Sequence, residues 1–228
     1  KDKDGKDLPE LTKVEGGGKI AAFRSLDFSM RGYILRSKAP SQVYPSLGFG
    51  AELGLQAFPG HLRTYPSIGY LYLYGYLPGI GWNQGIKLTA ALQSGVIYPS
   101  EPQYWFERNV INTIPRGFVN STLDTVTELC GAPRLKATFD YAIPLFPVDW
   151  SFLAPAAYIK NFVLTPFVDY SMMVWNAHTL LGLNPAMVSY SHLFSLGTDF
   201  TINLGNFLWL PFKTGVGIRY AYNLADTL

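Results

Sequence analysis

The stretch "LGFGAELGLQAF", residues 47–58, decides the fold class. Leu47, Phe49, Ala51, Leu53, Leu55 and Ala57 share one parity, and Gly48, Gly50, Glu52, Gly54 and Gln56 share the other. Successive side chains of a strand point to opposite faces, so this pattern predicts a strand with one apolar face. Either a protein core or hydrocarbon must cover that face.

Similar alternation recurs along the chain. Leu26, Phe28, Met30 and Ile34 oppose Ser25, Asp27, Ser29 and Arg31, and Ile86, Leu88, Ala90 and Leu92 oppose Lys87, Thr89, Ala91 and Gln93. Leu135, Ala137, Phe139, Tyr141 and Ile143 oppose Lys136, Thr138, Asp140 and Ala142. Phe194, Leu196, Phe200, Ile202 and Leu204 oppose Ser195, Gly197, Asp199, Thr201 and Asn203. Val216, Ile218, Tyr220 and Tyr222 oppose Gly215, Gly217, Arg219 and Asn223. Two segments are less regular. In 65–77, Tyr70, Tyr72, Tyr74 and Tyr76 form a row that is either a ligand-stacking wall or a set of rings facing lipid or a partner. In 158–172, only Asn161, Thr165, Asp169 and Ser171 mark a polar parity. About eight strands of roughly 11–15 residues are expected. Tilted membrane strands need about 9–11 residues, whereas ordinary strands peak near 5 or 6. "LPGIGW", "FPVDW" and "GNFLWLPF" carry turn residues, and no helical period of similar strength appears.

The polar parity favours lipid as the cover for the apolar one. A soluble sandwich turns its polar face to bulk water and fills it with Lys, Glu and Arg. Here that face holds Gly, Ser, Thr, Asn and Gln with one or two charges per strand, which suits a barrel lumen. Asp27, Arg31, Glu52, Lys87, Lys136, Asp199 and Arg219 are the lumen charges this parity implies. Charged residues are 15% of the 228, nine of them within Lys1–Glu15, and aromatics are also 15%. Trp82, Trp150, Trp175 and Trp209 fall at strand ends or turns, as an interfacial belt would. Amides inside hydrocarbon must all be paired, so membrane strands must close on themselves. The expected fold is all-β, a transmembrane antiparallel β-barrel over 19–228 preceded by a polar loop or linker over 1–18.

Several functions are disfavoured. A net charge of +2 without a Lys/Arg cluster argues against nucleic acid as a partner. The single cysteine, Cys130, allows no intrachain disulfide and no cysteine zinc site. His61, His178 and His192 lack metal spacing, and Ser191-His192 lacks a nucleophile elbow. "DKDGKD" has Lys13 where a calcium loop needs its bidentate Glu. Asn120-Ser121-Thr122 and Asp124-Thr125-Val126 match glycosylation patterns only as patterns. No enzyme activity, cofactor or metal is expected.

The longest connection, about residues 99–132, exceeds a passive turn and contains "IPRGFVNS", residues 114–121. After it come "LKATFDYAIPLFP", "NFVLTPFVDYS" and "SLGTDFTINLGNFLWLPFKTGVGIRYAYN". In this order the segments resemble the bacterial surface antigen family, the BamA-type outer-membrane barrels. In that family a lumen-directed loop carries Val-Arg-Gly-Phe/Tyr. Arg116, Gly117 and Phe118 match, Pro115 replaces the hydrophobic residue, and Ser171 stands where a later motif has Gly. The resemblance covers about residues 84–223. It implies a sixteen-stranded barrel of which this chain carries about half, with the first strand entered from outside and "NLADTL" trailing off as loop. A chain complete in itself would instead close as a small eight-stranded barrel. The resemblance also implies that Arg116 contacts Asp140 or Asp169, whose parities face the lumen. Its functional implication is outer-membrane protein assembly or translocation, with lipid and other outer-membrane or periplasmic proteins as partners. A passive anchor for a periplasmic domain and a small channel barrel are the alternatives.

Overall fold

The computed structural model describes residues 25–38, 42–57, 59, 67–97, 111–118, 133–152, 157–175, 189–207 and 214–227. They form one antiparallel sheet of eight strands in sequential order. The strands are β1 (Leu26–Leu35), β2 (Gly48–Ala57), β3 (Ser67–Pro78), β4 (Gly85–Ile97), β5 (Arg134–Phe152), β6 (Ala157–Trp175), β7 (Ser189–Phe207) and β8 (Thr214–Thr227). Sequential antiparallel pairing follows from short links between alternating segments. The strand ends on either side of 36–47, 79–84, 153–156 and 208–213 lie at one end of the sheet, and those on either side of 58–66, 98–133 and 176–188 at the other.

The register lines the two parities up into rows. One row reads Ile34, Phe49, Gly75, Leu88, Phe139, Val168, Leu196 and Tyr222 across all eight strands. Its large side chains are all exposed, from 38% at Val168 to 85% at Ile34. The neighbouring row reads Tyr33, Gly50, Tyr74, Thr89, Thr138, Asp169, Ser195 and Asn223. The sheet therefore has an apolar outer face, with nothing packed on it among the described residues, and a polar inner face. Arg31 of β1 and Arg219 of β8 line the same inner cavity, so the sheet curls until its two edge strands face each other across that space. It does not close. Among the described residues β1 pairs only with β2 and β8 only with β7.

Three expectations need correction. "FPVDW" is not a turn but part of β5, which runs on to Phe152 with register shifts at Pro144/Phe146 and Pro147/Trp150. A proline lacks the ladder donor, and a bulge tolerates that loss without ending the strand. "NLADT" is not a loop but the end of β8, paired to β7 as far as Ser191↔Thr227. Three strands also exceed the expected lengths, since β5, β6 and β7 have 19 residues each.

The tyrosine row of β3 faces inward. Tyr74 lies over Gly50 and Tyr70 over Gly54, each directly across the β2–β3 ladder. A Cβ on Gly50 would stand 2.2 Å from Tyr74 Cζ, so glycine there makes room for the ring. Gly50→Ala is expected to lose about 1–3 kcal/mol by overpacking. The loss should shrink when Tyr74→Ala is added, which urea unfolding of the two variants and their double would measure.

Candidate functional site

The loop segment Ile111–Phe118 lies on the inner face, held there by five strands. The carbonyls of Thr113 and Ile114 accept from Ser171 Oγ at 2.7 Å and Lys136 Nζ at 2.6 Å. Those of Arg116 and Gly117 accept from Ser195 Oγ at 2.6 Å and Asn223 Nδ2 at 2.7 Å. Gln93 Oε1 takes the amide of Ile111 at 3.3 Å. The small polar residues of the inner parity thus supply the backbone partners that a loop removed from water requires.

Arg116 is the centre of this arrangement. Its Nε and backbone amide both donate to Asp169 Oδ2 at 2.9 Å, and NH2 donates to Asp169 Oδ1 at 2.6 Å. The same NH2 reaches Asp140 Oδ1 at 2.5 Å, and NH1 lies 3.6 Å from Asp199 Oδ2. The Asp169 side chain is fully buried, that of Asp140 nearly so, and that of Arg116 partly. A guanidinium is planar, permanently charged and forked, so it can bridge two carboxylates where an ammonium cannot. Phe167 underlies it, with the ring centroid 3.8 Å from Cζ. Val163, Phe167 and Met173, each 2% exposed, share the inward parity of β6 and are among the buried apolar residues of the inner face. They explain the irregular pattern of 158–172, where apolar side chains interrupt the polar parity.

Gly117 has φ +86°, a conformation that non-glycine residues adopt at a cost of about 1–3 kcal/mol. A Cβ there would also stand 2.5 Å from Ala221 Cβ. Glycine therefore lets the loop tip turn against β8. Gly117→Ala is expected to release the tip, seen as faster amide exchange over 111–118 with the strands unchanged. Phe118, half-buried, closes this turn through its amide to Pro115 O at 3.4 Å.

The remaining charges form two further pairs. Arg219 Nε and NH2 hold Asp199 Oδ1 and Oδ2 at 2.7 and 2.9 Å. Arg31 Nε donates to Glu52 Oε2 at 2.6 Å, and Tyr70 OH donates to Glu52 Oε1 at 2.9 Å. Lys87 and Lys136 line the central cavity, of about 560 Å³, with Arg31, Glu52, Arg116, Asp140 and Arg219. Asp27 stands apart near the start of β1, bonded by Ser25 Oγ at 3.3 Å. Tyr44, in the link 36–47, sets its ring at a tilt against Tyr76 with centroids 5.7 Å apart, and burial pushes its hydroxyl well above the ordinary range. Parity alone did not single out Asp199 as a third carboxylate for Arg116, nor Phe167 as its floor. The shared inward parity of Asp169, Phe167 and Asp199 across β6 and β7 was the available signal.

Comparison with family models, with curated proteins and with solved structures finds no match for this chain. Of the four tryptophans expected to form an interfacial belt, three fall within the described residues. Trp82 sits in the 79–84 turn and is 95% exposed, and Trp150 is exposed near the same end of β5. Trp175 is the last residue of β6. Trp209, His61, His178, Cys130, the polar segment 1–18, both glycosylation patterns and most of the long loop lie outside the described residues. Among the described residues no three His, Cys, Asp or Glu side chains are grouped as a metal ion would need.

Proposed function

We propose that the chain forms part of a transmembrane β-barrel in a bacterial outer membrane. Support comes from the apolar outer row that crosses all eight strands with its large side chains exposed. Soluble monomers rarely leave an apolar surface of that extent uncovered. The uneven links support the same orientation as the family resemblance: longer loops outside, turns in the periplasm. The long loop, including Arg116, then enters the lumen from outside.

The function this geometry favours is assembly or translocation of outer-membrane proteins, as in the BamA-type surface antigen family. The observation that carries it is Arg116 bridging Asp140 and Asp169 beneath a lumen loop, at the positions the resemblance marks. In that family, edge addition of a client strand needs an unpaired row of amides at the barrel seam, and main-chain hydrogen bonds then supply the affinity. The expected result is that proteoliposomes holding the full-length protein fold an unfolded outer-membrane client at least several times faster than empty liposomes of the same lipid. Equal rates would contradict the assembly role and leave an anchor.

A further inference from the structure

Of the basic side chains that line the central cavity, one, Lys87, has no hydrogen-bond or ion-pair partner among the described residues. Five basic side chains line it: Arg31, Lys87, Arg116, Lys136 and Arg219. Arg31 is matched by Glu52, Arg116 by Asp140 and Asp169, and Arg219 by Asp199. The ammonium of Lys136 is taken by Ile114 O at 2.6 Å. Lys87 makes no hydrogen bond or ion pair among the described residues. This holds although Lys87 stands directly opposite Asp140 in the β4–β5 register. The Asp140 carboxylate is turned to Arg116 instead, through Oδ1.

Neutral donors surround the same space. Thr89 and Thr138 face each other across the β4–β5 ladder with their hydroxyls bonded together, and Tyr72 bonds Thr89, so one proton of the three hydroxyls remains to be donated outward. The Tyr72 ring lines the cavity beside them. A lone ammonium in a confined, partly desolvated space attracts an anion more strongly than it would in open water.

We propose that this cavity binds a phosphate group, anchored by Lys87 and assisted by the hydroxyls of Thr89, Thr138 and Tyr72. Phosphate fits better than carboxylate for a stated reason. Planar carboxylates are best gripped by a guanidinium fork, and the three arginine side chains here already hold carboxylates. Lysine acts as a point charge, which suits an anion carrying several acceptor oxygens. The volume, about 560 Å³, leaves room for an organic body attached to the phosphate. The inference needs only the inner-face geometry and is independent of the assembly role, which client folding tests separately.

The test is calorimetric titration of the full-length protein in zwitterionic detergent at low ionic strength with inorganic phosphate, glucose 6-phosphate and acetate. Inorganic phosphate is expected to bind one to one. Lys87→Gln should weaken it at least tenfold, Lys87→Arg should keep most of it, and Lys160→Gln, on a different cavity, should change nothing. Tighter binding of glucose 6-phosphate would assign a phosphorylated organic ligand, and equal binding would assign the free ion. Boiled and unboiled gel mobilities would verify that each variant folds. No phosphate binding at millimolar concentration, unchanged binding by folded Lys87→Gln, or acetate binding as tightly as phosphate would overturn the proposal.

Discussion

Replacing Arg116 with alanine should free the Ile111–Phe118 segment from the inner face and destabilise the folded sheet by about 3–5 kcal/mol. The magnitude follows from what remains. Asp169 is fully buried and Asp140 nearly so, and without the guanidinium both carboxylates lose the cation that is hydrogen-bonded to them. Arg116→Lys keeps one charge but cannot fork to both, so an intermediate loss is expected. Arg116→Met combined with Asp140→Asn and Asp169→Asn removes the stranded charges and should recover most of the stability. Strong non-additivity is the signature, because the three residues share one network. Protease sensitivity within 111–118 and urea midpoints measure the two effects. An Arg116→Ala variant as protected and as stable as the parent would show that the ion pairs do not hold the loop.

Leu53→Arg should be the most damaging single change on the outer face. Leu53 is half exposed and is flanked in register by Met30 and Leu71. Where this row meets hydrocarbon, an arginine costs about 2–4 kcal/mol near the bilayer centre. Its neighbour Glu52 points to the opposite face, and Glu52→Gln should leave membrane folding within about 0.5 kcal/mol of the parent apart from the lost Arg31 pair. The contrast between adjacent residues on one strand isolates the solvent each face sees. Folding titrations into vesicles measure both variants. Equal, small losses would indicate that water covers both faces.

The strands with clean alternation were legible because period two is a local property. Leu47–Ala57 and Leu135–Ile143 show it without reference to any neighbour. The separation of Lys87 and Thr89 from Leu88 and Ala90 was legible for the same reason. Other features needed the neighbouring strands. Phe167 breaks the polar parity of β6 because Arg116 lies on its ring, and no local pattern announces a contact 51 positions away. The inward direction of the β3 tyrosines depends on Gly50 and Gly54 across the ladder, so β3 alone left both faces open. Pro147 and Asp149 read as a turn by type, but in β5 the register shifts around Pro147 accommodate that composition inside a strand. Asn223 and Asp226 likewise sit in a paired edge, where pairing to β7 overrides low strand propensity.

Site-directed nitroxide labels in proteoliposomes would measure most directly what covers the outer face. Labels at Leu53, Phe139, Leu196 and Ile218 should be reached by oxygen dissolved in the bilayer and shielded from a water-soluble nickel relaxant. Labels at Thr138 and Thr201 on the inner face should show the reverse. Outer-face labels open to the nickel reagent, or shut off from both reagents by a packed protein layer, would contradict a lipid-facing sheet.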